Sequence, residues 1–248
     1  MVDLRLGDCL EIMRDIPAQS FDAIIADIPY GTTACSWDTV IPFAPMWEQL
    51  KRLAKPRAAI VLFGSQPFTS ALVMSNPSMF RYTWVWDKAR PSGFQIAKYR
   101  PMMRHEDISV FAKEALNYYP IMEMRERAIR GRVVSRSDSS PIKYNDGLTR
   151  TYTHKNPQSI IWIPKENTRE HPTQKPVALM EYLIRTYTNE GDTVLDFTMG
   201  SGTTMVAAVN TNRNGVGIEL REDYYTIAQR RIAEAQAQMN RERKVSND

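Results

Sequence analysis

Cysteine and long apolar runs are scarce in this chain, and each scarcity excludes a class of protein. The 248 residues include two cysteines, Cys9 and Cys35, too few for a disulfide framework and without the CxxC spacing of a redox or zinc motif. No apolar run approaches the ~20 residues that span a bilayer, and the first eight residues lack the apolar centre of a signal peptide. We therefore expect a cytoplasmic protein with reduced thiols and no membrane segment.

Histidine is also rare. The three histidines, at positions 105, 154 and 171, stand at no ligand spacing relative to cysteine or carboxylate residues, so we expect no metal site. Hydrophobic residues make up 43% of the chain and charged residues 24%, proportions typical of a folded globular protein rather than a disordered or fibrous one. The length favours one globular core with an appendage.

Positive charge is concentrated in the middle of the chain. Residues 88–155 contain 14 Lys and Arg against 7 Asp and Glu, although the net charge of the whole chain is only +4. A basic middle on a slightly acidic body is typical of a surface that faces a polyanion such as nucleic acid. The alternative at this point is a positive face that is simply solvated.

Short apolar runs alternate with amphipathic stretches through the first and last thirds of the chain. This pattern predicts an α/β fold in which strands alternate with helices around a parallel sheet. The predicted strands are residues 3–7, 21–26, 58–63, 82–86, 108–111, 193–197 and 215–220. The predicted helices are residues 9–15, 43–54, 67–74, 203–210 and 223–238.

The alternation fails between residues 113 and 164. We expect a small basic lobe there, inserted into a core that residues 1–112 and 165–248 form together. Inside the lobe, the Arg-rich run favours a basic helix over residues 125–134, followed by a turn-rich linker over residues 135–141.

A glycine turn after a predicted strand is the strongest local signal. Asp196 lies near the end of the predicted strand, Gly200-Ser201-Gly202 follows, a helix begins, and Glu219 closes the next strand. Glycine lets the backbone turn sharply and lets a ligand approach, and a carboxylate after the second strand can accept both hydroxyls of a ribose. Because the P-loop lysine and the full GxGxxG are missing, we expect an adenosine-containing cofactor, with S-adenosylmethionine favoured over a triphosphate or a dinucleotide.

A second signal follows the strand at residues 21–26. Asp27-Ile28-Pro29-Tyr30 combines an acid, a proline carbonyl and an aromatic ring at the carboxyl end of a predicted parallel strand, where ligands bind in such sheets. This set suits a planar heterocycle with an exocyclic amine, which would donate to Asp27 and to a backbone carbonyl while Tyr30 stacks on the ring. An ordinary strand-ending turn is the alternative reading of the four residues alone.

Taken together, these motifs resemble those of the amino-group DNA methyltransferases of the N6-adenine/N4-cytosine family. The resemblance rests on the Asp-x-Pro-Tyr turn, the Phe-x-x-Gly-Ser-Gly turn at 197–202, and His-Pro-Thr-Gln-Lys-Pro at 171–176. Trp86-Asp87-Lys88, His105-Glu106 and Gly217-Ile218-Glu219 agree with it as well. The catalytic motif precedes the cofactor motif, as in the permuted β group. The sequence departs from the family pattern at two places. Ile28 replaces the usual proline, and Thr198 follows Phe197 where the family commonly has Asp-Pro-Phe.

The resemblance implies a Rossmann-like, S-adenosylmethionine-dependent methyltransferase with a role for each matching residue. Asp27 and Pro29 would accept from the base amine, and Tyr30 would stack on a base flipped out of double-stranded DNA. Asp8 and Cys9 would meet the adenine of the cofactor, and Glu219 its ribose. The remaining cofactor residues would lie at its methionine end: Lys175, Asp196, Phe197, Gly200, Ser201, Gly202 and Thr203.

The identity of the methylated base is the finer part of this hypothesis. An aspartate at the first motif position favours N6-adenine, and cytosine-N4 transfer is the alternative because the related N4 enzymes usually carry serine there. Cytosine-C5 chemistry is excluded because neither cysteine follows a proline. A non-catalytic nucleic-acid-binding protein on the same fold and an RNA substrate are the other hypotheses.

Several arginines are candidates for contact with DNA. Arg90 begins a predicted loop between two strands, and the inserted lobe contributes a further set: Arg125, Arg127, Arg130 and Arg132. Such side chains can hold phosphates or read guanine edges, and a short target is expected because the lobe is small. The sequence does not decide between a monomer and a homodimer. It also does not decide whether the protein belongs to a restriction system, a regulatory circuit or a phage.

Overall fold

The computed structural model describes residues 1–31, 39–132, 148–166 and 174–245. Cys35, residues 171–173 of the His-Pro-Thr-Gln-Lys-Pro stretch and the serine-rich linker lie outside these ranges. Across the described ranges, no helix is both long and apolar enough for a membrane crossing. The chain divides into one unit formed by Met1–Tyr119 with Ser159–Asp248 and a second formed by Pro120–Gln158.

The first unit is built on a sheet of eight strands. Its strands are β1 Val2–Leu6, β2 Phe21–Ala26, β3 Ala54–Gly64, β4 Phe80–Ser92, β5 Met103–Phe111, β8 Ile160–Trp162, β9 Thr193–Asp196 and β10 Asn214–Glu219. The second unit contains β6 Glu123–Arg132 and β7 Thr149–Lys155. Its helices are α1 Cys9–Arg14, α2 Phe43–Leu53, α3 Phe68–Ser75, α4 Val177–Tyr187, α5 Thr203–Asn210 and α6 Glu222–Val245.

The strand order of this sheet is β1-β10-β9-β2-β3-β5-β4-β8. The first five strands in that order are parallel to one another, and β5 is antiparallel to both β3 and β4. The sheet therefore has the parallel core that the alternating sequence pattern predicts. It brings the N-terminal β2 beside the C-terminal β9, although about 170 residues separate them.

Alternate side chains of the central strands fill two different cores. On β2, Ile24 packs on one face with residues of α1 to α3, whereas Ala23 and Ile25 pack on the other face with α4 and α5. All three side chains are fully buried. Because both faces of the sheet are covered, residues 23–26 of β2 form a continuous apolar run rather than an alternating one.

The two predicted ligand motifs leave the sheet at the same edge. β2 and β9 are paired in parallel, with Ala23 opposite Val194 and Ile24 opposite Leu195. The turn that begins at Asp27 therefore lies next to the turn that begins at Phe197. Carboxyl ends of adjacent strands are the usual place for a ligand in an open parallel sheet.

Gly202 holds the start of α5 against α6. Its φ of 79° lies in the left-handed region, and a Cβ built on it would come within 2.8 Å of the Cβ of Ala228. The position thus needs glycine both for its backbone conformation and for close helix packing. A third core cluster forms around this contact, with Met205 and Ile232 among its buried members.

The second unit contains a two-stranded antiparallel ribbon rather than the basic helix expected over residues 125–134. Its strands are β6 Glu123–Arg132 and β7 Thr149–Lys155. The helix prediction was wrong because it weighed local composition alone, whereas the backbone of β6 pairs with a strand rich in β-branched and aromatic residues that lies beyond residue 147. The predicted lobe boundaries, 113–164, enclose this unit and stay a proposal.

Other elements also differ from the predictions. Helix α4 and strand β8 were not predicted, and β4 and β5 are longer than the apolar runs that indicated them. Strand pairing continues beyond those runs, from Asp87 opposite His105 to Ser92 opposite Met103. Hydrogen bonds between the paired backbones stabilise these polar residues in the strands, and the composition of the sequence alone does not indicate this.

Replacement of Gly202 by alanine tests the packing of α5 on α6. We expect Gly202→Ala to lower the free energy of unfolding by about 2–5 kcal/mol, since a left-handed residue gains about 1–2 kcal/mol of strain and overpacking adds about 1–3 kcal/mol. Gly191→Ala is the matched control, because Gly191 has a φ of 83° but no described atom lies within 4 Å of where its Cβ would stand. Urea titration of both variants would contradict the account if their losses were equal.

Candidate active site

A cleft of about 660 Å³ opens at the edge of the sheet where β2, β9 and β10 end. A volume of this size lies within the range of ligand pockets, which is about 300–1,000 Å³. Most of the predicted cofactor and catalytic residues line it: Asp8, Cys9, Asp27, Pro29, Tyr30, Lys175, Asp196, Phe197, Gly200, Ser201, Thr203 and Glu219. The two motifs recognised separately in the sequence thus meet in one cleft.

Gly202 is the exception among the predicted cofactor residues. The described residues around the cleft do not include it, and its α-carbon faces Ala228 of α6 instead. Gly202 thus has a packing role, and its contact with the cofactor stays a prediction. Its neighbours in the turn, Gly200 and Ser201, do line the cleft.

Hydrogen bonds to neighbouring elements fix the glycine turn. The N–H of Met199 donates to the carbonyl of Ile218 on β10 at 2.9 Å, and the N–H of Gly200 donates to Glu219 Oε2 at 2.8 Å. Arg231 of α6 adds a clamp from the other side, donating to the carbonyl of Ser201 at 2.7 Å and to Thr203 Oγ1 at 3.1 Å. In the sequence Arg231 stands out only by helical periodicity, so this function was missed.

Asp196 is buried under the same turn. Thr204 Oγ1 donates to its Oδ2 at 2.5 Å, and the N–H of Thr198 donates to its Oδ1 at 3.1 Å. Burial raises the pKa of Asp196 to about 7, against the lowering effect of these two hydrogen bonds. Its carboxyl group therefore lines the cleft and also holds the turn closed.

Glu219 ends β10 with its carboxylate at the wall of the cleft. One oxygen accepts from Gly200 N–H, and the other accepts from Arg221 N–H at 2.9 Å. Burial raises the pKa of Glu219. Because a carboxylate has about four lone-pair sites, the two backbone bonds orient the group and leave acceptor capacity for ligand hydroxyls.

Asp27 has two close side-chain partners. Tyr30 donates its hydroxyl to Asp27 Oδ1 at 2.5 Å, and Lys175 donates to Asp27 Oδ2 at 2.5 Å. Thr198 Oγ1 also donates to the backbone carbonyl of Asp27 at 3.2 Å, which ties the catalytic motif to the cofactor turn. Burial raises the pKa of Asp27, and the charge of Lys175 opposes the rise.

Lys175 extends this contact into a cluster of four charged residues. Its ammonium also lies 3.2 Å from Glu106 Oε2, and the other oxygen of Glu106 lies 3.2 Å from the ammonium of Lys88. The side chains of Lys175 and Lys88 are only 6% and 4% exposed, so all these ions are largely removed from water. Glu106 and Lys88 belong to motifs that the family resemblance matched, but no role was predicted for them.

Tyr30 has its ring orientation set by packing. Its ring centroid lies 5.2 Å from that of Phe68 at an interplanar angle of 31°. The hydroxyl bond to Asp27 fixes the other end of the side chain. Ring and carboxylate are therefore positioned together before any ligand arrives.

Asp8 and Cys9 lie at the start of α1. Asp8 caps the helix by accepting from the N–H groups of Leu10 and Glu11 at 2.8 and 3.2 Å. Burial raises the pKa of the Cys9 thiol to about 12, so it is a neutral thiol rather than a nucleophile. Both residues line the cleft, and their contact with a cofactor stays a prediction.

The predicted DNA-contacting arginines lie on strands, not on a loop or a helix. Arg90 is exposed near the end of β4, which continues to Ser92, so the loop expected from residue 90 begins at Gly93. Arg127 and Arg130 are exposed on β6, Arg125 donates to the carbonyl of His154 at 3.1 Å, and Arg132 is the last residue of that strand.

Comparison with known proteins identifies the family. A family model described as a DNA methylase matches residues 21–230. The chain belongs to the DNA methylase family. This membership and the mixed α/β sheet confirm the predicted family and fold class.

Individual members of the family align along nearly all of the chain. The Type II methyltransferase M.HpaI of Haemophilus parainfluenzae is 29% identical over 93% of this chain and 74% of its own length. The DNA adenine methyltransferase YhdJ of Escherichia coli K12 is 28% identical over 91% of this chain and 81% of its own length. The solved structure of the M1.HpyAVI–SAM complex has a TM-score of 0.63 and 27% identity, covering 93% of this chain and all of that one.

The raised pKa of Asp196 predicts a particular dependence of stability on pH. A carboxyl group whose pKa is higher in the folded state stabilises the fold below its unfolded pKa of about 4, and loses that contribution as pH rises toward about 7. We expect the free energy of unfolding of Asp196→Asn, measured by urea titration, to fall less than that of the wild type over this interval. Parallel curves for the two proteins would contradict the assignment.

Proposed function

We propose that this protein transfers the methyl group of S-adenosylmethionine to the exocyclic N6 amine of an adenine flipped out of double-stranded DNA. The observation that carries the proposal is the single cleft shared by the Asp27 turn and the Gly200–Ser201 turn. Membership of the DNA methylase family and the adenine methyltransferase named among its relatives support the same reaction.

The residues of the cleft fit the chemistry of the cofactor. S-adenosylmethionine supplies a methyl group already activated by a sulfonium. Glu219 is oriented to accept from two neighbouring hydroxyls, and the two backbone N–H groups that donate to it hold it there. The carboxyl group of Asp196 and the turn at Gly200 lie on the same side, suited to the positively charged methionine end. The volume of the cleft is sufficient for a nucleoside cofactor and a base together.

Asp27 acts on the amine that receives the methyl group. The lone pair of an exocyclic amine is delocalised into the ring, and a hydrogen bond from the amine to the Asp27 carboxylate draws the nitrogen toward a nucleophilic geometry. S-adenosylmethionine, when bound, would supply the methyl carbon to this nitrogen, and its sulfur would keep the electron pair of the broken carbon–sulfur bond. The surplus proton of the nitrogen leaves along the hydrogen bond to Asp27. The raised pKa of this carboxyl group suits it to receive that proton.

Tyr30 and the backbone at Pro29 hold the plane of the base. The ring of Tyr30 is fixed by Phe68 and by its bond to Asp27, so it offers a prearranged stacking partner. Stacking on an aromatic side chain is worth about 1–3 kcal/mol per base, which offsets part of the cost of unstacking. Alignment of nitrogen, carbon and sulfur is then the main catalytic effect, of up to ~7–11 kcal/mol.

The mouth of the cleft has features that suit DNA. Ser92 and Met103, which line the cleft, enclose a loop with two cations and no acidic residue. Phe94 and Tyr99 in this loop are 79% and 88% exposed. Exposed aromatic rings beside cations can contact both bases and phosphates, which favours a nucleic acid over a protein substrate.

The ribbon of the second unit has the shape of a groove-binding element. A two-stranded antiparallel ribbon fits into the major groove of B-DNA, and β6 presents Arg127 and Arg130 on its exposed surface. We propose that these arginines contact the DNA around the target site.

A homodimer is a separate prediction, and light scattering of the purified protein would test it. A DNA substrate agrees with the expected cytoplasmic location.

Analysis of methylated DNA by mass spectrometry tests the function. Purified protein is incubated with duplex DNA of varied sequence and S-adenosylmethionine, and the digested nucleosides are separated. We expect N6-methyladenine, and we expect Asp27→Asn to lower its rate of formation by about 10²–10³-fold because the neutral amide is a weaker acceptor. Formation of N4-methylcytosine would overturn the assignment of adenine as the target base. Binding of DNA without any methyl transfer would overturn the assignment of the protein as an enzyme.

Charge reversal on the ribbon tests its contact with DNA. We expect Arg127→Glu with Arg130→Glu to raise the KM for DNA about tenfold and to reduce the salt dependence of binding by about two charges, since each phosphate contact contributes a slope of about 0.9. Arg241→Glu on α6, an exposed arginine outside the basic segment, is the matched control. Equal effects of the two changes on fluorescence-anisotropy titrations would reject the ribbon as a contact.

A further inference from the structure

Three sequence stretches with no predicted catalytic role form a series of ion pairs that ends at Asp27. Lys88 comes from β4, Glu106 from β5, and Lys175 from the segment that precedes α4. The antiparallel pairing of β4 with β5 places Trp86 opposite Glu106, so the carboxylate and Lys88 lie on neighbouring strands. Lys175 completes the set by contacting both Asp27 and Glu106.

The charges of this cluster balance. Two carboxylates, Asp27 and Glu106, alternate with two ammonium groups in the order Asp27–Lys175–Glu106–Lys88. Removal of one member of a buried ion pair leaves an uncompensated charge, which is costly in a medium of low polarity. The arrangement therefore constrains the protonation state of each member.

We infer that Lys175 is a positioning residue for Asp27, which holds the carboxylate ionised and oriented for the target amine, while Glu106 and Lys88 hold Lys175 in place. The inference rests on the proposed function. It differs from the sequence prediction, in which Lys175 contacts the cofactor. Its basis is the 2.5 Å contact with Asp27 Oδ2 together with the nearly complete burial of the ammonium.

The need for such a residue follows from the surroundings of Asp27. Burial and the nearby Glu106 both act to protonate Asp27, and a protonated carboxyl group is a poor acceptor for an amine. Lys175 opposes both effects. The pKa of Lys175 lies above its ordinary value because Asp27 and Glu106 together outweigh the lowering effect of burial.

Other ionisable groups also face the cluster. Tyr30, from the turn after β2, donates to Asp27, and Asp196 at the end of β9 interacts with it electrostatically. Lys165 acts on Glu106, whose pKa is lowered because Lys175 and Lys88 outweigh its burial. His105 lines the same cleft from β5. None of these groups contacts both Asp27 and Glu106 as Lys175 does among the described residues.

The first test is the pH dependence of methyl transfer in Lys175→Met. Single-turnover rates are measured on duplex DNA from pH 6 to 10, and S-adenosylmethionine binding is measured by calorimetry. We expect the rate at pH 7 to fall at least tenfold, the acidic limb to move upward by at least one pH unit, and the affinity for the cofactor to change less than threefold. Lys175→Arg, which keeps the charge, is expected to keep the limb in place.

The second test uses the charge balance of the cluster. Glu106→Gln alone leaves an excess positive charge and frees Lys175, so we expect a lower rate. In the Lys175→Met background, the same change leaves Asp27 facing Lys88 with no excess charge, so we expect it to raise the rate at pH 7. The charges of the double variant balance, so we expect it to fold even if Lys175→Met alone does not. Its rate of methyl transfer can then be compared with that of Glu106→Gln.

The outcomes separate this inference from the proposed function. Wild-type protein that transfers no methyl group would remove the function itself. If the wild type is active, and Lys175→Met lowers the rate without moving the acidic limb of the pH–rate profile, the role of Lys175 is limited to a structural ion pair. A large loss of cofactor affinity would assign it to the cofactor instead. A double variant slower than both single variants would also overturn the inference.

Discussion

Parallel pairing of β2 with β9 is the constraint on which the site depends. These strands come from opposite ends of the chain, and their pairing brings the Asp27 turn beside the turn that begins at Phe197. The bond from Thr198 to the backbone of Asp27 then joins the two turns directly. A methyl transfer needs a donor and an acceptor in line, so a shared sheet edge supplies the required rigidity.

Buried charge gives this edge its chemistry. Asp196 and Glu219 line the part of the cleft formed by the glycine turn, and Asp27 with Lys175 lies at the part formed by β2. Each carboxyl group is oriented by short contacts before a ligand binds. Such preorganisation means that little of the binding free energy is lost in ordering the site, and it explains why the polar side chains tolerate burial.

The sequence predicted those parts of the site that follow from a strand and its adjoining turn. Asp27 comes directly after an apolar run, Glu219 lies at the end of another, and Gly200 lies in the turn that follows a third. A parallel sheet brings such ends together. The ion pair between Lys88 and Glu106 was beyond this reasoning because it depends on the pairing of β4 with β5. The same cause explains the failed helix at residues 125–134, since its backbone partner is a distant strand.

A crystal structure of the protein with S-adenosylhomocysteine and a duplex containing the methylated site would test the central claim most directly. We expect an adenine outside the helical stack, with its exocyclic nitrogen within hydrogen-bond distance of Asp27 and facing the cofactor sulfur from across the shared cleft. A cofactor bound away from the Gly200 turn, or a target base whose amine does not reach Asp27, would contradict the claim.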